Sequence, residues 1–275
     1  VRGETRSVSK PYYDFFLHSF GLPLLLLMGI GPLVAWRRAS VRSLGRMFLL
    51  PFAVAVVTGV VLLALGFGSS LPGLLAYTFS AFVGASIALE FVRGRRAAGS
   101  VFRLVSRNRR RYGGYLVHAA VLLFAIGVAG SSAYQTVRER TLSPGQSMSL
   151  AGYTLTYRSL GTAQGPNYTG FRANLDVSRG GSHVATLDPG ENVYPIEGPA
   201  NEASLYHDPR NLGDVFTIAQ LQKGSNAIDL KVLVKPLVNL IWAAGFLFVF
   251  GSLVALWPDA VEQRRLAERY ATAPA

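Results

Sequence analysis

Four histidines, His18, His118, His183 and His207, are the side chains of this 275-residue chain best suited to bind a metal or move a proton near neutral pH. They are not grouped. No HExxH, HxH, CxxC, Walker loop or GxSxG occurs and cysteine is absent, so zinc hydrolysis, nucleotide use, a serine nucleophile, disulfides and thiolate ligands have nothing to rest on. The carboxylates Glu191, Glu197, Glu202, Asp208 and Asp214 are spread over turn-rich sequence with no legible acid–base pairing, so no catalytic residue is assigned.

His118 stands apart because of its surroundings. Arg103, Arg107, Arg109, Arg110 and Arg111 lead into Tyr112-Gly113-Gly114-Tyr115, and an apolar run to Ser132 follows that His118 alone interrupts. An apolar run of about 20 residues with a basic end reads as a membrane-spanning helix whose basic end stays in the cytoplasm. An ionisable group inside a span is costly unless it faces protein, water or a ligand. His118 lies about six residues in, roughly 9 Å along the helix. It is either a residue hydrogen-bonded to a neighbouring helix or an axial ligand, since neutral imidazole suits haem iron without placing a charge in lipid. Position alone leaves both open. Gly113, Gly114, Gly127 and Gly130 thin the helix where a flat cofactor or another helix can approach. His18, among aromatics, reads as part of an interfacial belt. His183 reads as a solvated turn residue, and His207 as a loop residue on a face that a haem passed along the surface could meet.

The elements that position these residues are legible from composition. Half the residues are hydrophobic and 15% are charged, and the apolar residues come in long blocks, which is a membrane composition. The net charge of +12 sits in arginines beside those blocks, so positive-inside topology explains it better than nucleic acid, which is set aside as a partner. Spans are predicted at Leu22 to Trp36, Phe48 to Gly66 with Pro51 near its start, Gly73 to Val92, Tyr112 to Ala133 and Pro236 to Trp257, all in contact with a lipid bilayer. Glu90 lies near the basic end of the third span, where Arg93, Arg95 or Arg96 can pair with it. From Tyr134 to Lys235 short alternating runs (Tyr153 to Tyr157, Phe171 to Val177, Val215 to Leu221, Ile228 to Val234) signal strands.

The expected fold is thus an α-helical multi-pass membrane protein of about five spans, with an extracytoplasmic β-rich domain between the last two. Its parts are a four-span region (1–133), the β-rich domain (134–235), the last transmembrane helix (236–257) and a cytoplasmic tail (258–275). The loops Arg37 to Arg46 and Arg93 to Arg111 hold four and eight basic residues with no acid, and the tail adds Arg264, Arg265 and Arg269. The β-rich stretch balances nine basic against nine acidic residues. Both basic loops and the tail inside, with the amino end and β-rich domain outside, satisfy the charge rule throughout. The opening at Val1 shows no signal-peptide pattern and is expected of a fragment or one half of a split protein.

In ordered combination, several segments resemble the CcmF/NrfE family of cytochrome c haem lyases. The span from Asn108-Arg109-Arg110-Arg111-Tyr112-Gly113-Gly114-Tyr115-Leu116-Val117-His118 to Ile126-Gly127-Val128-Ala129-Gly130 is similar to that family's histidine-bearing span. Leu25 to Arg38, Leu142-Ser143-Pro144-Gly145 with Gly152-Tyr153, and Lys235-Pro236-Leu237-Val238 with Ile241-Trp242, Gly245 and Gly251 extend the likeness over nearly the whole chain. The family's amino-terminal half, with a tryptophan-rich haem-holding loop and a second transmembrane histidine, has no counterpart; Trp36, Trp242 and Trp257 all lie at or in spans.

The resemblance implies the carboxy-terminal half of a haem lyase, a component of cytochrome c synthesis in the bacterial inner membrane, inactive without the rest. It implies haem as substrate and a b-type haem as cofactor, with His118 as one axial ligand of its iron. The implied partners are the missing amino-terminal half, a haem chaperone (CcmE-like), apocytochrome c and a thiol-handling subunit (CcmH-like). The β-rich domain is expected on the periplasmic side. A non-catalytic scaffold of the maturation complex and a transporter subunit for haem or another hydrophobic substrate are the rival readings. Transport fits less well, because the first three spans carry few polar side chains.

Overall fold

The protein is described here from a computed structural model covering residues 9–31, 41–258, 264 and 268. The opening eight residues, the Trp36 end of the first predicted span, the Arg37-Arg38 pair, and Arg265 and Arg269 of the tail lie outside the described residues.

Two compact units divide the chain: residues 130–239, and the helices on either side of them in sequence. In the helical unit, α1 (Lys10–Phe16) and α2 (Leu22–Ile30) are joined by a π-helical turn at Leu17–Gly21. Together they form an apolar helix over Pro11–Ile30. The aromatic segment around His18, expected as a belt preceding the span, is therefore inside that helix.

α3 (Val41–Ala64) starts before the apolar stretch, with Arg42 and Arg46 in its first turns. Pro51 is consequently inside the helix, not near its start, and removes one backbone hydrogen bond there. α4 (Leu71–Ala98) is capped by Ser70, whose Oγ accepts from the Gly73 amide at 3.2 Å. It ends at Gly99, whose φ of 79° suits glycine and whose N–H reaches the Arg95 carbonyl at 2.8 Å. A short helix, α5 (Val101–Arg107), interrupts the arginine-rich loop, and α6 (Arg109–Ala133) and α7 (Asn239–Leu256) also belong to the unit. Among the described residues five helices are long and apolar enough to cross a membrane. Leu25, Ala55, Phe82, Val83, Ile87, Leu104, Tyr112 and Tyr115, contributed by α2 to α6, form a shared core.

The second unit is an antiparallel β-sandwich. Its first sheet orders β1 (Thr136–Leu142), β10 (Ile228–Lys235), β9 (Gly213–Leu221) and β8 (Ser204–Asp208). The second orders β2 (Ser147–Leu150), β3 (Tyr153–Gln164), β4 (Thr169–Arg179), β6 (Gly190–Tyr194) and β7 (Gly198–Glu202), with β5 (Ser182–Leu187) also on β4. β9 and β10 alternate buried and half-buried residues, and the register sets Ala219 opposite Leu230 and Thr217 opposite Val232. Leu142, Leu155, Tyr157, Leu175, Val177, Val215, Ile228 and Leu230 close the core. Burying such side chains is worth about 1.5–3 kcal/mol each, which supplies the drive for the two sheets to stack.

The four runs predicted as strands fall within β3, β4, β9 and β10. His183 and His207 are strand residues of β5 and β8, not the turn and loop residues expected. Their exposed rings hold Nδ1 at 2.5 Å and 2.8 Å from the half-buried carboxylates Asp176 and Asp214.

Candidate functional site

His118 is carried by α6, and its setting is built from the helix's first turns upward. Gly113 and Gly251 let α6 and α7 meet backbone to backbone. A Cβ on Gly251 would come within 2.9 Å of Leu116 Cβ, and one on Gly113 within 2.5 Å of the Ala255 backbone nitrogen. Small residues permit this close approach, which is how helices associate in lipid without a hydrophobic drive.

Toward α4 the contact is polar. Glu90, whose side chain is 10% exposed, accepts a charged hydrogen bond from Arg111 and another from the Tyr115 hydroxyl at 3.3 Å. Arg111 Nε also donates to the Tyr115 hydroxyl at 3.1 Å, and Arg93 approaches Glu90 at 3.6 Å. Of the three arginines expected to serve Glu90, Arg93 does so; the closer partner, Arg111, comes from a helix 21 residues away. Phe91 packs on Tyr112 at 5.1 Å between ring centroids, closing the apolar side of this cluster. An Arg and a Tyr four residues apart share one helix face, a signal that could have marked Arg111 and Tyr115 as a joint docking surface.

His118 lies one turn beyond Tyr115 and two turns beyond Arg111. α6 begins at Arg109, three residues before the span expected from Tyr112, so His118 is roughly 13.5 Å from the first residue of the helix. The residue is half-buried, and Nδ1 is fully buried with no hydrogen-bond partner among the described residues. One turn back, a Cβ on Gly114 would meet nothing within 4 Å. Glu90 and α4 occupy one flank of α6, and α7 another, with an apolar cavity of about 370 Å³ lined by Val121, Phe124, Trp242 and Phe248. His118 thus lies on the Arg111–Tyr115 side of α6, and Gly114, one turn back, leaves open space at its edge. Among the described residues no cluster of three or more His, Asp or Glu side chains could hold a metal ion, so His118 is the one predicted site residue with an unclaimed ring nitrogen in a span.

The sandwich holds a second polar cluster that the sequence did not point to. Asp208, at the end of β8, receives the Tyr153 hydroxyl, the Arg179 guanidinium at 2.5 Å and the Arg210 amide at 3.0 Å. Burial and the bond to Asp208 push the Tyr153 phenol up to about 12. Burial pushes Asp208 upward as well, but its bonds from Tyr153, the Arg210 amide and Arg179 outweigh that and hold it below the usual carboxylate range. Hydrogen bonds from Arg158 and then His183 lower Asp176.

Apolar helices of spanning length, one of them carrying a histidine with a free buried nitrogen, together with an antiparallel β-sandwich, define a multi-pass membrane protein with a β-sandwich domain. Residues 133–236 match the family model described as the CcmF C-terminal beta-sandwich. The chain is 30% identical over 258 residues to cytochrome c-type biogenesis protein CcmF of Pseudomonas fluorescens, covering 93% of this chain and 38% of that protein. It is 29% identical to cytochrome c-type biogenesis protein ccl1 of Rhodobacter capsulatus, covering 91% and 38%. The solved structure of cytochrome c heme lyase CcmF superposes with a TM-score of 0.70 at 27% identity, over 91% of this chain and 41% of that one. In each of these comparisons the chain is similar to CcmF-type proteins, and its β-sandwich matches their carboxy-terminal domain. The chain spans 38% of the length of each of the two relatives.

Proposed function

We propose that this chain acts in cytochrome c maturation as part of a CcmF-type haem lyase, with His118 as one axial ligand of a b-type haem. The observation that carries the reading is the His118 ring: it is inside a span, its Nδ1 is buried and unpartnered, and Gly114 leaves open space at its edge. A histidine kept only for packing would have that nitrogen bonded across to a neighbouring helix. Neutral imidazole is an iron ligand that brings no charge into lipid. A haem held there supplies one-electron chemistry at a potential set by its axial ligands and surroundings.

The chain's own residues hold and aim that imidazole. The Glu90–Arg111–Tyr115 cluster fixes the rotation of α6 about its axis, and the Gly113 and Gly251 contacts clamp the helix on another flank. The second axial ligand comes from the part of the protein that the relatives carry beyond the matched 38%. The charge count supports a cytoplasmic place for the arginine-rich loops in the bacterial inner membrane and a periplasmic one for the sandwich. In that arrangement the sandwich meets the haem chaperone, apocytochrome c and thiol-handling subunit, while His118 belongs to an electron relay apart from thioether formation.

Purifying the complete protein with His118→Ala tests this. The low-spin b-haem spectrum is expected to be lost; an unchanged spectrum overturns the assignment. Deleting residues 134–235 is expected to abolish cytochrome c assembly and leave the b-haem content intact.

A further inference from the structure

His207 belongs to a surface that the first sheet of the sandwich builds by register. Residues directly opposite one another in adjacent strands share a face, so Val137, Leu233, Phe216 and Leu205 form one row across β1, β10, β9 and β8. The row is on the outer side of the sheet, because the alternate residues Val232, Val215 and Thr217 are fully buried in the core. Val137 and Leu205 are exposed, and Phe216 and Leu233 are half-buried. Where one face of an antiparallel sheet meets water, such positions ordinarily carry polar residues. The next row toward the start of β9 consists of His207, Asp214 and Lys235.

His207 is arranged as a ligand. Its side chain is 64% exposed, and Nδ1 is held at 2.8 Å by the Asp214 carboxylate. A carboxylate accepts, so the ring proton sits on Nδ1 and Nε2 keeps its lone pair, the arrangement that orients metal-bound histidines and makes them more basic. Nε2 has no hydrogen-bond partner among the described residues. Lys235 lies two strands away, about 10 Å by strand spacing. Its ammonium is 5.2 Å from the Phe216 ring centroid. A metal ion alone would need further donors, and among the described residues no three His, Asp or Glu side chains gather to supply them. A partner helix laid on the sheet would use the apolar row and not the imidazole. An iron porphyrin uses the imidazole at its centre, the row under its ring and the lysine at its acidic rim. We propose that the outer face of the first sheet binds haem, with His207 Nε2 on the iron, the ring over Leu205, Phe216 and Leu233, and a propionate at Lys235. The choice of haem rests on the haem-lyase reading, and a single exposed histidine suits substrate in passage, not a resident group.

The test is titration of the complete protein, as purified, with ferric haem, followed by the Soret difference spectrum. A saturable site is expected, and His207→Ala is expected to weaken it about tenfold while the spectrum of the b haem at His118 stays unchanged. Metal-free protoporphyrin is expected to bind about tenfold more weakly than haem and to be indifferent to His207→Ala. Leu205→Glu breaks the apolar row without touching the imidazole and is expected to weaken both ligands about fivefold. Both substitutions are at exposed positions of β8, so a folding failure in one leaves the other usable. Haem bound equally well by His207→Ala, or protoporphyrin bound as tightly as haem, reduces the face to an adsorbing apolar surface and overturns the proposal. An unchanged Leu205→Glu, or loss of the b-haem spectrum in His207→Ala, overturns it as well. The titration needs no lyase activity, so its failure leaves the His118 assignment standing, and failure of that assignment leaves the titration readable.

Discussion

In the helical unit Glu90 sits between Arg111 and Tyr115; in the β-sandwich Asp208 sits between Arg179 and Tyr153. Each arginine also lies over its tyrosine ring, at 5.7 Å and 5.0 Å. The same three groups serve different purposes. In the sandwich, water drives the two sheets together, and the cluster has to be satisfied because the core has already taken Asp208 and Tyr153 out of solvent. In the helices the outward faces are apolar and lipid is as apolar as they are, so burial gives no drive for α4 to meet α6. There the cluster and the glycine contacts specify the packing themselves. The arginines show the difference: the Arg179 side chain is 30% exposed, whereas Arg111 is 57% exposed and has room to reach the headgroups.

The largest effect is expected from Asp208→Ala. It leaves the Arg179 charge, the Tyr153 hydroxyl and the Arg210 amide without their acceptor, and breaking a buried pair in this way costs about 3–5 kcal/mol. Denaturant unfolding followed by tyrosine fluorescence measures it. A loss near zero would mean that Asp208 behaves as a surface residue, and the comparison between the two clusters would collapse.

A somewhat smaller effect is expected with pH. Because the Tyr153 phenol is raised in the folded state from 10 to about 12, its contribution is complete below pH 10 and is lost as pH rises toward 12. Two pH units correspond to about 2–3 kcal/mol. Asp208 works in the opposite sense: held below its usual range, it contributes above the unfolded carboxylate pKa and loses that contribution as pH falls through its folded value. The sandwich is therefore expected to be most stable between these limits. Tyr153→Phe is expected to flatten the alkaline limb of the stability profile, and an unchanged slope would assign that limb to other groups.

What could be read from sequence follows the same division. β3, β4, β9 and β10 were legible because one face of each is buried in the core, so apolar and polar residues alternate. β7 and β8 are short and largely exposed, so their residues, His207 among them, look like loop. α5 is seven residues long, too short for a helical period to show. His118 was legible by residue type alone, since an imidazole in an apolar run is costly wherever the helix turns. The orphaned Nδ1, the open side of Gly114 and the reach of Arg111 to Glu90 were not, because each depends on which helix lies alongside α6. That is a matter of tertiary packing between segments about 20 residues apart, which no local pattern records.

The smallest expected effect carries the most information about the helical unit. Glu90→Gln keeps the size of the side chain, removes its charge, and leaves Arg111 able to move outward into the headgroups. Interhelical polar contacts in membranes are worth about 0.6 kcal/mol on average and up to about 1.7, because separated helices find substitute partners. Glu90→Gln should therefore cost well under half of what Asp208→Ala costs, measured as a shift in detergent-titrated unfolding of the helices, with the sandwich transition unmoved. Its functional consequence should exceed its energetic one. If the cluster sets the rotation of α6, Glu90→Gln is expected to lower bound b-haem in the complete protein while His118 is intact. A double-mutant cycle with Arg111→Gln should then recover most of the cost as coupling between the two residues. A full haem complement in Glu90→Gln would confine the cluster to packing, and a cost equal to that of Asp208→Ala would show that lipid offers this carboxylate no alternative partner.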